Sequence, residues 1–554
     1  MDSIDKIFLK KYQPYIWLIG LGLLLYLPII WFDFIYLDDN VLILRDIRTL
    51  TDLGNIAQIF KQGVFNILHT GDTYYRPMPT LSLMLDAQIS GADPSMYHLT
   101  NILLHLANAC LIFILLQKFG FKKSLALIAS IFFVVHPVLV SSVAWIMGRN
   151  DSLLALFVML SFLCLINFLK EDYTGRSMMR LALHQFFFLL ALLTKENALV
   201  VPLVIIVYFW FFDPKINIQD RFFTQKKVII YALWLAIIAI YFLARKNALG
   251  STADIDSLSI AKNLITTLPA LLVYFGKIVL PINLSGYPIM KDSSWILGMV
   301  ALVPFVALYL FGRKPNYKMT IFGVVWFLVF LVPSLLRADL NPNMPFLENR
   351  LYLPMFGILL IILGSNFLAG SFKTNYMKLT ATLVIIGFYA LSAFSYSKTY
   401  QDKIVFWENA KAHSPSSAFV HNNLGAMYFI DGKINEAGVE FTKASSINDL
   451  EPLAHGNMGL VYLQLGQYDQ AEREIKKELS FNPKYSDAYY NLGLVYAKQN
   501  KFADATLSWE KTIELNPDYL DAYAQLINHY SNTQKDAIKA KYYFDEYTRR
   551  GGAF

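Results

Sequence analysis

From Tyr15 to about residue 396 the chain is a succession of apolar runs separated by short linkers, and beyond that point such runs stop. Each run holds about 17 to 23 residues, enough at about 1.5 Å per residue to cross a hydrocarbon core of about 30 Å. Inside lipid a backbone must satisfy its own N–H and C=O groups, and runs of this length do so as helices. The pattern predicts an all-α fold, a polytopic helical membrane domain followed by a soluble one. Composition agrees, because 56% hydrophobic and 16% charged content is far too apolar for a soluble chain of 554 residues. The net charge of +7 does not mark a nucleic-acid partner, since much of the basic excess sits in the linkers between apolar runs. Cys110 and Cys164, the only cysteines, both fall in predicted spans, so no disulfide framework or cysteine metal site is available.

The linkers set the topology. Lys6, Lys10 and Lys11 precede the first run, Tyr15 to Phe32, which is longer than a signal-peptide core and lacks a small-residue cleavage site after it. It reads as a retained span with a cytoplasmic amino terminus. Lys118, Lys122 and Lys123, then Lys170, Arg176 and Arg180, then Lys215, Arg221, Lys226 and Lys227 follow spans two, four and six and agree. Leu264 to Leu280 carries Pro269 and meets Pro281. If it lies in the interface or re-enters, Arg313 to Lys318 and Lys373 to Lys378 both return to the cytoplasm. The expectation is about eleven spans plus this segment, in a membrane domain over residues 1–397, with residues 398–554 outside.

Those last residues are periodic. NNLGAMY, GNMGLVY and YNLGLVY recur with Gly425, Gly459 and Gly493 spaced 34 apart, and Tyr428, Tyr462, Tyr496 and Tyr530 keep the period. This is a tetratricopeptide array, with repeats at about 418–451, 452–485 and 486–519 and a degenerate repeat at 520–554. Trp407, Ala410 and Pro415 fit an incoming half repeat. Such superhelices bind extended peptides in their concave groove. Asn423, Asn457 and Asn491 hold one register on successive first helices, where an amide both donates to and accepts from a peptide backbone. In this they resemble the asparagine ladder of O-linked N-acetylglucosamine transferase. The alternative is that asparagine here only caps local turns.

In the membrane half, polar clusters sit at the span ends predicted to face outside. They are FIYLDD with Asp38 and Asp39, YRPMPTLSLMLD with Arg76, and YHLTNILLH. HPVLVSSVAWIMGRND holds His136, Arg149 and Asp151, LLTKENALVVPL holds Lys195 and Glu196, and FLENRLYLP holds Glu348, Arg350 and Tyr352. Ionisable residues at span ends are functional candidates when they cluster. These motifs, in order and followed by tetratricopeptide repeats, resemble the transmembrane and tetratricopeptide-repeat O-mannosyltransferases and their bacterial relatives, of the GT-C superfamily of polyprenyl-phosphate-sugar glycosyltransferases. The chain departs from many relatives in having Glu348-Asn349-Arg350 where they carry an acid-Arg pair.

The resemblance implies a lipid-linked sugar donor (polyprenyl or dolichyl phosphate), a protein acceptor, and an acid of the first outer loop as catalytic base. Asp38 is the expected base and Asp39 the residue that orients it. A carboxylate in hydrogen-bond reach can take the proton of a serine or threonine hydroxyl as it attacks the anomeric carbon. The departing lipid phosphate needs cations, for which Arg76, Arg149, Lys195 and Arg350 are candidates. His136, Asp151, Glu196, Glu348 and Tyr352 complete the donor-phosphate or substrate set. The alternative for Asp38 and Asp39 is helix capping. No constellation demands a divalent metal.

Three functions fit: a protein O-glycosyltransferase whose repeats present the acceptor, a GT-C enzyme acting on a lipid or polysaccharide with the repeats recruiting partners, or a membrane scaffold displaying repeats. Asp38, Lys195, Glu196 and Arg350 at same-side span ends argue against the scaffold. With only two sequons, at Asn150 and Asn283, a bacterial inner membrane is preferred over the endoplasmic reticulum.

Overall fold

The computed structural model describes residues 9–65, 74–172, 174–213, 217, 221–250, 269–312, 314–335, 345–367 and 376–552. Lys6, Lys215, Arg313, Lys373 and residues 264–268, used in the topology argument, lie outside them. The described residues are helical, with no strand beyond one isolated bridge between Ile289 and Pro345. They form two compact units, Met1–Asn409 and Ala410–Phe554.

The first unit is the membrane half. Seven of its described helices are long and apolar enough to cross a membrane, or eight if the bent pair Lys123–Val135 and Pro137–Ala144 counts as one span. Four shorter apolar helices, Glu196–Phe212, Pro269–Val279, Ile296–Leu310 and Pro354–Gly364, stand beside them. At about 1.5 Å per residue these fall short of a hydrocarbon core of about 30 Å, which is why fewer full spans are seen than the eleven expected from apolar runs. Many apolar side chains on the outer faces, such as Leu24, Leu235 and Leu391, are exposed, as lipid contact requires.

Helix Ser95–Lys118 is central, packed against Gln13–Tyr26, Lys123–Val135 and Arg149–Lys170. Asn101, His105 and Asn108 follow one another at helical spacing along one face and are all buried. The Asn101 amide donates to the carbonyls of Val143, Trp145 and Ile146, and the Asn108 amide to Ser152. Buried amides thus satisfy the backbone where the chain breaks between spans, after a 55° bend at His136-Pro137. Tyr317–Leu331 and Pro354–Gly364 touch backbone to backbone, because a Cβ on Gly323 would lie 2.6 Å from the Gly357 carbonyl oxygen.

The second unit repeats one solution. Helix pairs Ala418–Ile430 with Ile434–Ile447, Ala454–Gln464 with Tyr468–Phe481, and Ser486–Lys498 with Phe502–Leu515 each pack a glycine against a large side chain. A Cβ at Gly425, Gly459 or Gly493 would approach Phe441, Ile475 or Trp509 to 2.8, 2.4 and 2.4 Å. Ala437, Ala471 and Ala505 are fully buried on the partner helices. The last pair, Leu520–Asn528 and Ala537–Arg549, replaces the glycine contact with the aromatic core Tyr523, Tyr530 and Tyr543.

The two compact units divide at residues 409 and 410, inside helix Lys403–His413. Trp407, assigned above to an incoming half repeat, belongs to the first unit. Its indole is fully buried and donates to the Ile35 carbonyl at 3.0 Å, and Asn409 Oδ1 accepts from the Gly286 amide.

Candidate active site

The first span ends at Trp31, and the loop after it is shaped by Asp39. This carboxylate is 1% exposed and accepts from the amides of Ile35 at 2.9 Å and Leu37 at 3.0 Å. Both its oxygens are occupied by its own loop, and Trp407 fixes the same turn through Ile35. Asp38, part-exposed beside it, accepts no side-chain hydrogen bond from any described residue. Crowding by protein, then the neighbouring Asp39 charge, pushes Asp38 up to about 6, against the pull of Arg76. Burial raises Asp39 to about 6 as well, opposed by the backbone amides it accepts from. The loop thus offers one fixed carboxylate and one unengaged carboxylate that is ionised at neutral pH.

Around it the span ends contribute a linked set of charges. Arg76 clamps Glu196 bidentately, at 2.9 and 2.5 Å. Lys195, the residue before Glu196, pairs with Asp151 at 2.6 Å, and the other Asp151 oxygen accepts from the Asn349 amide at 2.8 Å. The Arg76 charge reaches both Asp38 and Asp151. The TKEN turn therefore ties Arg76 of YRPMPTLSLMLD and Asp151 of HPVLVSSVAWIMGRND together through alternating charges, and Asp151 in turn holds the Asn349 amide of FLENRLYLP. Glu348, 1% exposed, receives Lys277 at 2.6 Å, the Ser285 amide and the Tyr396 hydroxyl. Glu348 and Arg350 are therefore not a pair, in keeping with the departure noted in the sequence. Among the described residues Arg350, largely buried, donates only to the Ser334 carbonyl, at 3.3 Å, and has no carboxylate partner.

Three expected phosphate or substrate ligands are occupied elsewhere. Arg149, fully buried, pairs with Asp86 at 2.6 Å and donates to Asn101, Ser82 and the Tyr97 carbonyl. A guanidinium with those partners locks helices and leaves no fork for an anion. His136 donates from Nε2 to the Ile278 carbonyl at 2.9 Å and accepts the Val138 amide at Nδ1, so it caps the turn after the break. Tyr352 donates to His105 Nδ1 at 2.8 Å inside the helix core. Asp86, Lys277 and Trp407 were the residues that sequence reasoning missed at this site. A single charge inside an apolar run, as in SLMLDAQI or VYFGKIVL, is the signal that marks the first two. Among the described residues no group of three or more His, Cys, Asp or Glu is gathered as a metal would require.

In the repeats, the three ladder asparagines are half-buried and differ in engagement. Asn423 donates to the Phe419 carbonyl of its own helix at 2.8 Å, the local use weighed above. Asn457 donates to Asn422 of the preceding repeat at 3.0 Å. Asn491 makes no side-chain hydrogen bond to a described residue.

Residues 74–249 match the dolichyl-phosphate-mannose-protein mannosyltransferase family, and residues 459–500 and 486–519 match tetratricopeptide-repeat families. The chain is 35% identical to protein O-mannosyl-transferase tmtc2 of Xenopus laevis over 38% of its own length and 26% of that protein. It is 33% identical to protein O-mannosyl-transferase TMTC1 of Mus musculus over 25% of its length and 16% of that protein. To TMTC4 of the same species it is 30% identical over 30% of its length and 25% of that protein. The chain thus spans about a quarter or less of the curated relatives it matches. The membrane half is thus similar over residues 74–249 to a protein mannosyltransferase family, and the repeats after it are similar to tetratricopeptide-repeat families.

Proposed function

We propose that the protein is an inverting glycosyltransferase that moves a hexose, mannose by similarity, from a polyprenyl-phosphate carrier to serine or threonine hydroxyls of proteins outside the cytoplasm. Asp38 takes the hydroxyl proton while the oxygen bonds to the anomeric carbon, and the carbon–oxygen bond to the lipid phosphate breaks with its electron pair leaving on the phosphate. Attack opposite the leaving group inverts the configuration. Asp39 holds the loop that aims Asp38. Arg350, with no carboxylate of its own among the described residues, meets the departing phosphate, and Arg76 and Lys195 tune the field from their pairs with Glu196 and Asp151. The repeats bind the acceptor chain, and both they and the site lie opposite a cytoplasmic amino terminus, in a bacterial inner membrane.

The observation that supports this reading is the division of labour in LDD: the Asp39 carboxylate is tied to the amides of Ile35 and Leu37, and the Asp38 carboxylate accepts no hydrogen bond from a described residue. The test is transfer by the purified full chain from polyprenyl-phosphate mannose to a serine- and threonine-rich protein, with the anomeric configuration of the product read by NMR. Product of inverted configuration on the hydroxyls is expected. Glycosylation of a lipid or polysaccharide alone would select the second function considered above, and no transfer to any acceptor would overturn the enzyme.

A further inference from the structure

At the other end of the same helices lies a cavity of about 530 Å³ that the proposed chemistry does not use. Lys170, Lys226, Lys227 and Asp213 form its polar lining, here called the rim, and Phe209 and Phe212 belong to its aromatic lining, here called the floor. Helix Arg149–Lys170 has 22 residues, so its Lys170 end stands about 30 Å from the Arg149 end, the thickness of a hydrocarbon core. The cavity therefore opens at the membrane face opposite Asp38. By the positive-inside bias of its lysines, that face is cytoplasmic.

The bias explains why lysines are in these linkers but not why they border a void. Lys227 pairs with Asp213 and lies 4.8 Å over the Phe209 ring, so its stem is held against the aromatic floor. Lys226 donates to the carbonyls of Phe168 and Glu171, and Lys170 is exposed with no partner among the described residues. Among the described residues that line the cavity, three lysines stand against one aspartate, a positive balance. The rim recognises an anion and the aromatic floor recognises hydrocarbon, at the depth where headgroups meet acyl chains. A free anion would leave the floor unused, and a neutral lipid would leave the lysines unused. The volume falls in the range of about 300–1,000 Å³ that suits small ligands.

We propose that this cavity binds the phosphate headgroup and upper acyl chain of an anionic phospholipid in the leaflet opposite the candidate active site. The site is independent of the glycosyltransferase reading. The test is native mass spectrometry of the full chain in detergent with phosphatidylglycerol or phosphatidylcholine added. Retention of phosphatidylglycerol over phosphatidylcholine is expected. A lysine near the surface contributes about 1 kcal/mol, or about fivefold, so Lys170→Gln should weaken retention about fivefold and the double variant with Lys226→Gln about twenty-five-fold. Equal retention of both lipids, or of phosphatidylglycerol by parent and Lys170→Gln, overturns the proposal, as does displacement of the lipid by inorganic phosphate at matched concentration. Lys170 is exposed, so its variant is expected to fold. A second measurement needs no lysine change: Leu169→Trp, on the cavity wall, should be quenched beyond the parent by brominated phosphatidylglycerol and not by brominated phosphatidylcholine. Equal quenching by the two overturns the site.

Discussion

The polar end of the membrane unit and the repeat array are both held by buried contacts, yet they are built on opposite plans. In the array one contact, glycine against a large side chain, recurs three times at the same spacing, so each copy has neighbours that do the same work. At the polar end the paired charges each draw on a different distant segment: Arg76 with Glu196, Arg149 with Asp86, Lys277 with Glu348. A periodic structure spreads a function over many positions, whereas an aperiodic one concentrates it in single residues. Single substitutions should therefore be severe in the first unit and mild in the second.

The largest effect is expected at Asp38. Asp38→Asn removes the proton acceptor without adding bulk, so turnover should fall by about two to four orders of magnitude with the protein still folded and inserted. Asp39→Asn should also impair transfer severely, because an amide there presents N–H groups to the amides of Ile35 or Leu37. Normal turnover in both variants would remove this loop from the chemistry.

Next come the two arginines that the sequence could not tell apart. Arg149→Met strands the Asp86 carboxylate in a buried site, which costs about 3–5 kcal/mol and should show as a large loss of thermal stability. Among the described residues Arg350→Met loses one weak bond, to the Ser334 carbonyl, so stability should change little. Loss of a charge-assisted bond worth about 1.5–3 kcal/mol to the donor should lower kcat/KM about ten- to a hundredfold. If Arg350→Met unfolds the protein as Arg149→Met does, Arg350 is a structural cation too.

The same contrast explains what could be read beforehand. Membrane helices and repeats were legible because both are set by periods, of hydropathy and of Gly425, Gly459 and Gly493. That charge gathers at the span ends was legible because ionisable residues are rare there. What was not legible was pairing. Arg149 looked like a phosphate ligand because Asp86, a lone charge in an apolar run, lies 63 residues earlier, and the support that Trp407 gives the Ile35 turn spans 372 residues. Such contacts are made by tertiary packing, which no local spacing records.

Acidity gives a gentler test of the first unit. With Asp38 near 6, the base is about nine-tenths ionised at pH 7 and one-tenth at pH 5, so kcat/KM should rise about tenfold between pH 5 and 7. Stability moves the other way. A carboxyl whose pKa is raised by folding adds stability that is fully present below the ordinary range of about 4 and is lost as pH rises through about 6. Rate and melting temperature should therefore diverge across this window. A rate profile flat from pH 5 to 7 would exclude a base with this acidity.

The smallest effect is expected in the repeats, where engagement ranks the asparagines. Asn423 and Asn457 already donate, to Phe419 and Asn422, and Asn491 makes no such bond to a described residue. A peptide backbone bound in the groove should therefore lean most on Asn491. One net hydrogen bond is worth about 0.5–1.5 kcal/mol, so Asn491→Ala should raise KM for a long protein acceptor about two- to tenfold, and Asn423→Ala should raise it less. Chemistry is elsewhere, so kcat should hold, and an acceptor too short to occupy the repeats should respond to neither variant. A fall in kcat, or an equal response of long and short acceptors, would mean that the asparagines do not hold the acceptor, and the repeats would then serve partner recruitment.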